Sequence, residues 1–160
     1  MKKKDILSRV MLGVGFGYAL FHYLHLKEIL QQERKQIRKQ EQLLRMANHM
    51  IVEDGKGNRI HQKLEERNLS SVVIYGMAEM GERVMEDILL HSSIKLLYGI
   101  DQRAKEIKMV IPVYTLEEAA EKDKPEAVIL TAFSENDSLK NEIEKTMSCK
   151  VITLGELLYE

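Results

Sequence analysis

The 160-residue sequence predicts an α/β protein: a small doubly wound domain with a mainly parallel sheet, preceded by N-terminal helices. Three observations predict it. From about Asn68 onward, short apolar runs alternate with stretches of helical period, the pattern of βαβ units with a sheet covered on both faces. The first of those runs leads into a turn bracketed by glycines, VVIYGMAEMG at Val72–Gly81. Ahead of them lies a segment of another character, first apolar and then basic.

That leading part divides at about Leu26. Residues 1–26 open on MKKK and continue as VMLGVGFGYALFHYLHL, Val10–Leu26, an apolar run at the short edge of what spans a bilayer. No small-residue cleavage site follows it, and lysine or arginine on both sides gives no clear inside flank. Gly13, Gly15 and Gly17 cost helix propensity in water, roughly 1 kcal/mol each against alanine. Lipid or close helix contact would offset that cost, so a membrane anchor and a protein-packed helical hairpin both stand as readings. Residues 27–67 form a basic amphipathic helical region. Leu30, Ile37, Leu44 and Ile51 recur at seven-residue steps, a thin stripe that seeks a partner in a homodimer, or leaves its basic face on anionic lipid. EDGKGN, Glu53–Asn58, breaks the helix, and Ile60, Leu64 and Leu69 suggest a short amphipathic helix after it.

Residues 68–160 carry the α/β domain. Strands are predicted at Ser71–Tyr75, Lys95–Ile100, Ala127–Thr131 and Lys150–Thr153, with IPVY at Ile111–Tyr114 as a weak edge strand because its proline lacks a backbone donor. Helices are predicted at Glu79–Leu90, Leu116–Lys122 and Ser138–Met147.

The glycine turn bears most directly on function. In a dinucleotide-binding turn the first glycine permits the sharp exit from the strand, the second lets pyrophosphate approach the backbone, and the third lets helix and strand pack closely. Gly76 fills the first place and Gly81 the third, while Ala78 puts a methyl group at the second. Glu79 favours the helix dipole but competes with an anionic ligand for it. Asp101, in YGIDQR, stands twenty residues after Gly81 at the predicted end of the second strand, where a carboxylate can accept from a ribose hydroxyl. Arg103 is near enough to favour a phosphate or to stack on a base. Strand-to-helix geometry would require both glycines in an empty scaffold too, and an aspartate after a strand can simply cap a turn.

The segments IYGMAEMG, YGIDQ, IPVYTLEE, PEAVILTA and CKVITLGELL, in this order, resemble the small Rossmann-like domains of bacterial cell-surface polysaccharide biosynthesis proteins. Such domains are similar to the nucleotide-binding N-terminal parts of nucleotide-sugar dehydratases and sugar acyltransferases. The resemblance runs from about Ile60 to the C-terminus. It implies that Gly76, Met77, Ala78, Glu79, Met80 and Gly81 form the phosphate-side turn and Asp101 the ribose or base contact. By the same resemblance Thr131 and Ala132 line the opposite side of the cleft. NAD(P) or a nucleotide-sugar is the implied ligand, and Ala78 departs from the glycine pattern.

Catalytic signals are sparse. A Tyr-x-x-x-Lys spacing occurs at Tyr23 and Lys27, but before the first strand, where it cannot serve a reductase of this fold. There is no G-x-S-x-G elbow, and Cys149, just before a strand, reads as a packing residue. A single cysteine excludes an intramolecular disulfide and fits a reducing compartment. His22 and His25 share a helical face without further metal ligands, so no metal is expected. His49, His61 and His91 read as solvated, and Glu118 and Lys122 as an i, i+4 pair. A net charge of −1 gives no field for nucleic acid. The expectation is a non-catalytic or accessory nucleotide-binding domain, cytoplasmic or held to the inner membrane face by residues 10–26. Its alternative is a ligand-free scaffold that dimerises or anchors a partner through the N-terminal helices. An enzyme would be an NAD(P)-dependent one acting on a nucleotide-sugar together with a partner.

Overall fold

A computed structural model describes residues 3–131 and 137–159, with side chains over 16–131 and 138–159. It divides into two compact units, 1–42 and 43–160. One helix, α1 (Lys3–Lys56), opens the chain without interruption, so no helical hairpin forms within it. The reason is local: this stretch has no proline, and isolated glycines weaken a helix without breaking it. From Phe16 to Glu41 every side chain of α1 is exposed. Among the described residues no helix is long and apolar enough to cross a membrane.

In the second unit α1 ends at Lys56, and Gly57 at φ +85 turns the chain. Glu53 helps close that end by accepting from Lys56 Nζ at 2.8 Å and Asn58 Nδ2 at 2.9 Å. Then follow α2 (Ile60–Glu66), β1 (Ser71–Tyr75), α3 (Glu79–His91) and β2 (Lys95–Ile100). A single 3-10 turn (Ala104–Glu106) precedes β3 (Val113–Tyr114), α4 (Leu116–Ala119), β4 (Ala127–Leu130), α5 (Asp137–Met147), β5 (Lys150–Thr153) and α6 (Leu154–Tyr159).

The five strands form one all-parallel sheet in the order β3-β2-β1-β4-β5. This is the doubly wound, Rossmann-like arrangement expected from the sequence. It puts β3 at an edge, two residues shorter than the expected Ile111–Tyr114: the strand begins only after Pro112, whose missing donor costs no ladder bond there. Alternation along β1 divides the core in two. Val72 and Ile74 join Met80, Val84 and Ile88 of α3, Leu64 of α2, Leu157 of α6 and Met50 near the end of α1. Val73 and Tyr75 join Ala119 of α4 and Ile143 and Met147 of α5 on the other face. Each fully buried Leu or Ile contributes about 1.5–3 kcal/mol by leaving water.

Register between β1 and β2 slips by one residue: Val72 pairs with Leu96, but Ile74 pairs with Gly99. Leu97 and Tyr98 therefore both face the second core, and Gly99 comes to lie on the side of the first. The Tyr98 hydroxyl donates to the Asp123 carbonyl at 2.9 Å, and burial pushes its pKa up to about 12, so it stays neutral.

Two helices begin with the same device. Thr115 Oγ1 accepts from Glu118 N, and Glu118 Oε2 accepts from Thr115 N, at the start of α4. Thr153 and Glu156 repeat the exchange at α6. This corrects the expected Glu118–Lys122 pair: Glu118 is engaged at the cap, and the Lys122 ammonium lies 4.7 Å from the Tyr114 ring centroid. It also explains a helix, α6, that the hydrophobic period alone does not announce.

Candidate functional site

Strand order reverses between β1 and β4: the chain winds outward from β1 to β2 and β3, then returns to the other side of β1 for β4 and β5. At such a switch point the loops leaving the two neighbouring strands diverge and leave a crevice beyond their carboxyl ends. The glycine turn of β1 and Thr131 after β4 stand there.

Gly76 adopts φ +96, a backbone that a side chain would strain. Its N–H donates to the Ile100 carbonyl at 2.8 Å, which fixes the turn against the end of β2. Gly81 permits the closest approach in the site, because a Cβ there would overlap the Gly76 carbonyl oxygen. Both positions thus require glycine on backbone geometry alone, as a strand-to-helix corner does with or without a ligand.

Within the turn, side chains divide sharply. Met77 and Met80 are buried, and Met77 lies over Gly99, where an added Cβ would meet its Cγ and Sδ at 2.7 Å. Only Ala78 and Glu79 are exposed. Ala78 is the N-cap of α3 and offers no side-chain oxygen, so no side chain caps the helix. The N–H groups of its first turn have no intrahelical acceptor and carry the positive end of the helix dipole. Glu79 stands beside them, with the Arg83 guanidinium 3.9 Å from its carboxylate.

Asp101 sits where the ribose-binding acid was expected, and its carboxylate is already engaged. Oδ2 accepts from Met77 N and Oδ1 from Arg103 N, each at 2.9 Å. The acid therefore joins the end of β2 to the glycine turn. Each oxygen retains one further lone pair, and the residue is half-exposed. Arg103 is exposed and contributes its backbone N–H to this arrangement.

Thr131 is buried. Its hydroxyl donates to the Gly76 carbonyl and lies 3.1 Å from the Tyr75 carbonyl, so it ties β4 to the turn. Ala132 lies outside the described residues. Tyr75, the last residue of β1, is buried on the α5 side of the sheet with Ile143 and Met147. Burial, then the nearby Glu142 and Asp101 charges, push its phenol pKa up and keep it neutral.

The structure brings Gly76, Met77, Ala78, Glu79, Met80, Gly81, Asp101, Arg103 and Thr131 to one end of the sheet. Sequence reading missed what Asp101 and Thr131 do there, because both act on backbone groups that a motif does not display.

Two histidines depart from the solvated reading. His61 is buried between α2 and α3: its N–H donates to Asp87 Oδ2 at 2.8 Å, and its Nδ1 lies 3.0 Å from Asp87 Oδ1. His91 is exposed, its ring 5.8 Å from that of His61. A cleft of about 230 Å³ lies alongside, lined by Arg59, Arg83, Glu86, Asp87, Leu90 and His91. His49 is half-buried, with Nε2 2.9 Å from the Leu158 carbonyl and its ring stacked on Tyr159. Period reading treats His61 and His49 as solvent-facing, whereas α3 packs on the first and α6 on the second. Among the described residues no cluster of three or more His, Cys, Asp or Glu could hold a metal. Cys149 packs half-buried against the second core, and burial pushes its thiol pKa up.

Comparison with family models, with curated proteins and with solved structures found no match to this chain.

Proposed function

We propose that the α/β unit binds a nucleotide or nucleotide-sugar, NAD(P) among them, in the crevice at the switch point, as an accessory domain rather than a catalyst. One observation carries the reading: at this point the first turn of α3 presents backbone N–H groups with no side-chain cap, beside the two exposed turn residues Ala78 and Glu79. Phosphate oxygens are the acceptors such a helix start favours. Asp101 supports the ribose end, since its remaining lone pairs can accept a hydroxyl while its existing bonds hold the turn in shape. Binding rather than chemistry is supported by the way both Asp101 and Thr131 are committed to backbone groups. The sequence resemblance supports a setting in cell-surface polysaccharide biosynthesis.

A thermal-shift screen with NAD(H), NADP(H), UDP-sugars, CoA and mononucleotides tests the reading. A ligand present at about 100 times its dissociation constant adds about 2.7 kcal/mol of stability. The expected outcome is a clear rise in Tm for at least one compound. No rise for any of them at millimolar concentration overturns the reading. Ala78→Gly is expected to tighten dinucleotide binding, because the methyl group stands where the phosphate would come nearest; an unchanged Kd would remove that contact from the account.

A second reading is favoured by a different observation, the unbroken exposure of α1 from Phe16 to Glu41. On it the α/β unit is a ligand-free scaffold, and α1 is its working surface. Deletion of the first 42 residues would then abolish partner or self association, while a retained Tm rise with nucleotide would favour the first reading.

A further inference from the structure

The exposed half of α1 has two parts of different chemistry. Phe16–Leu26 contains no charged side chain, and its large side chains surround the helix instead of forming a stripe. At 100° per residue, Phe16, Leu20, Tyr23 and Leu24 occupy one half of the circumference, and Tyr18, Phe21 and Leu26 the other. All are strongly exposed, Phe16 at 72% and Phe21 at 68%. His22 and His25 lie in the sector of Tyr18, so the segment is apolar over most of its circumference with one polar strip. So wide an apolar surface is covered by protein or by lipid. A partner helix would cover only one side of it, whereas acyl chains can cover every side.

The following part, Lys27–Lys39, carries five basic residues and two acidic ones, a net charge of +3. Lys27, Arg34, Lys35, Arg38 and Lys39 are all exposed. Basic residues directly after an apolar helical segment are placed to meet anionic headgroups while the apolar part enters the acyl region. Tyr23, one turn before Lys27, suits the boundary, since it has an apolar ring and a polar tip. Over Phe16–Lys39 the helix runs for about 36 Å at 1.5 Å per residue, long enough to set the two parts at different depths.

We infer that α1 docks the protein on an anionic phospholipid bilayer, with Phe16–Leu26 inserted among the acyl chains and the Lys27–Lys39 band at the headgroups. This inference does not rest on nucleotide binding and concerns a different unit of the chain.

Co-sedimentation of the full-length protein with vesicles tests it. One vesicle set is phosphatidylcholine alone, the other phosphatidylcholine and phosphatidylglycerol in a two to one ratio. Wild type is expected to pellet with the anionic set and to be released as salt rises, because the headgroup attraction is screened. Replacing Arg34, Lys35, Arg38 and Lys39 together by Gln should weaken partitioning on the order of a hundredfold or more. Phe16→Asp with Phe21→Asp should abolish pelleting with either set. All six positions are exposed, so circular dichroism should show unchanged helix content in both variants. Equal pelleting of wild type with the two vesicle sets overturns the headgroup assignment. Failure to pellet with either set overturns the inference outright, and a stable lipid-free dimer would then assign the apolar segment to a second copy of the chain.

Discussion

Gly81 sets how closely α3 approaches the end of β1, because hydrogen is all that fits between its Cα and the Gly76 carbonyl. Gly81→Ala should cost about 1–3 kcal/mol through overpacking, read as a drop of several degrees in Tm. Asp101 governs the same turn from the other side. Asp101→Ala leaves the Met77 N–H without its acceptor and should cost about 1–3 kcal/mol, whereas Asp101→Asn, which keeps an acceptor oxygen, should cost less. Denaturant unfolding of both variants separates these outcomes. Equal losses would mean that the charge, and not the acceptor, holds the turn. The glycines could be read from sequence because backbone geometry restricts the residue type. The bond from Asp101 to Met77 could not, since a carboxylate beyond a strand looks the same whether it faces a ligand or a peptide N–H.

At the scale of elements, strands were the most legible part. SVVIY, KLLYGI and KVIT form strands with the bounds expected, and AVILT loses only its threonine, because Thr131 turns its hydroxyl to the Tyr75 and Gly76 carbonyls. Helix ends were less legible. α4 stops at Ala119, short of the expected Lys122. α6 was not expected; Thr153 and Glu156 three residues apart, a capping signal and not a periodic one, are the feature that marks it. Thr153→Ala should therefore cost about 1 kcal/mol. Glu156 also gives a pH dependence. Burial works to raise its pKa, but the Lys140 ammonium at 2.8 Å and the Thr153 N–H outweigh it and hold the carboxyl below the ordinary value of 4.5. A pKa lowered in the folded state means stability that is present above the ordinary value and lost as pH falls through the lowered one. Glu156→Gln should flatten the acid limb of a stability–pH curve in that window and leave its neutral limb parallel to wild type. An unchanged acid limb would show that the contact with Lys140 does not hold the helix.

For the whole molecule, alternation of strand and helix was enough to expect a doubly wound sheet, because a parallel pair needs a crossover and a crossover covers a face. Strand order could not be read so directly; it emerges from which faces the helices bury. That is also why His61 was misread. Its position in a short charged helix suggested solvent, but packing α2 on α3 puts it against Asp87. The central claim concerns the one place where topology, glycine geometry and an uncapped helix start coincide. Amide shifts of nitrogen-15 labelled full-length protein, titrated with NAD(H) and a UDP-sugar, test it most directly. Binding in the crevice predicts saturable shifts concentrated on Met77–Gly81 and on Asp101 and Arg103. Shifts that are absent at millimolar ligand, or that gather around His61 and His91 instead, would contradict it.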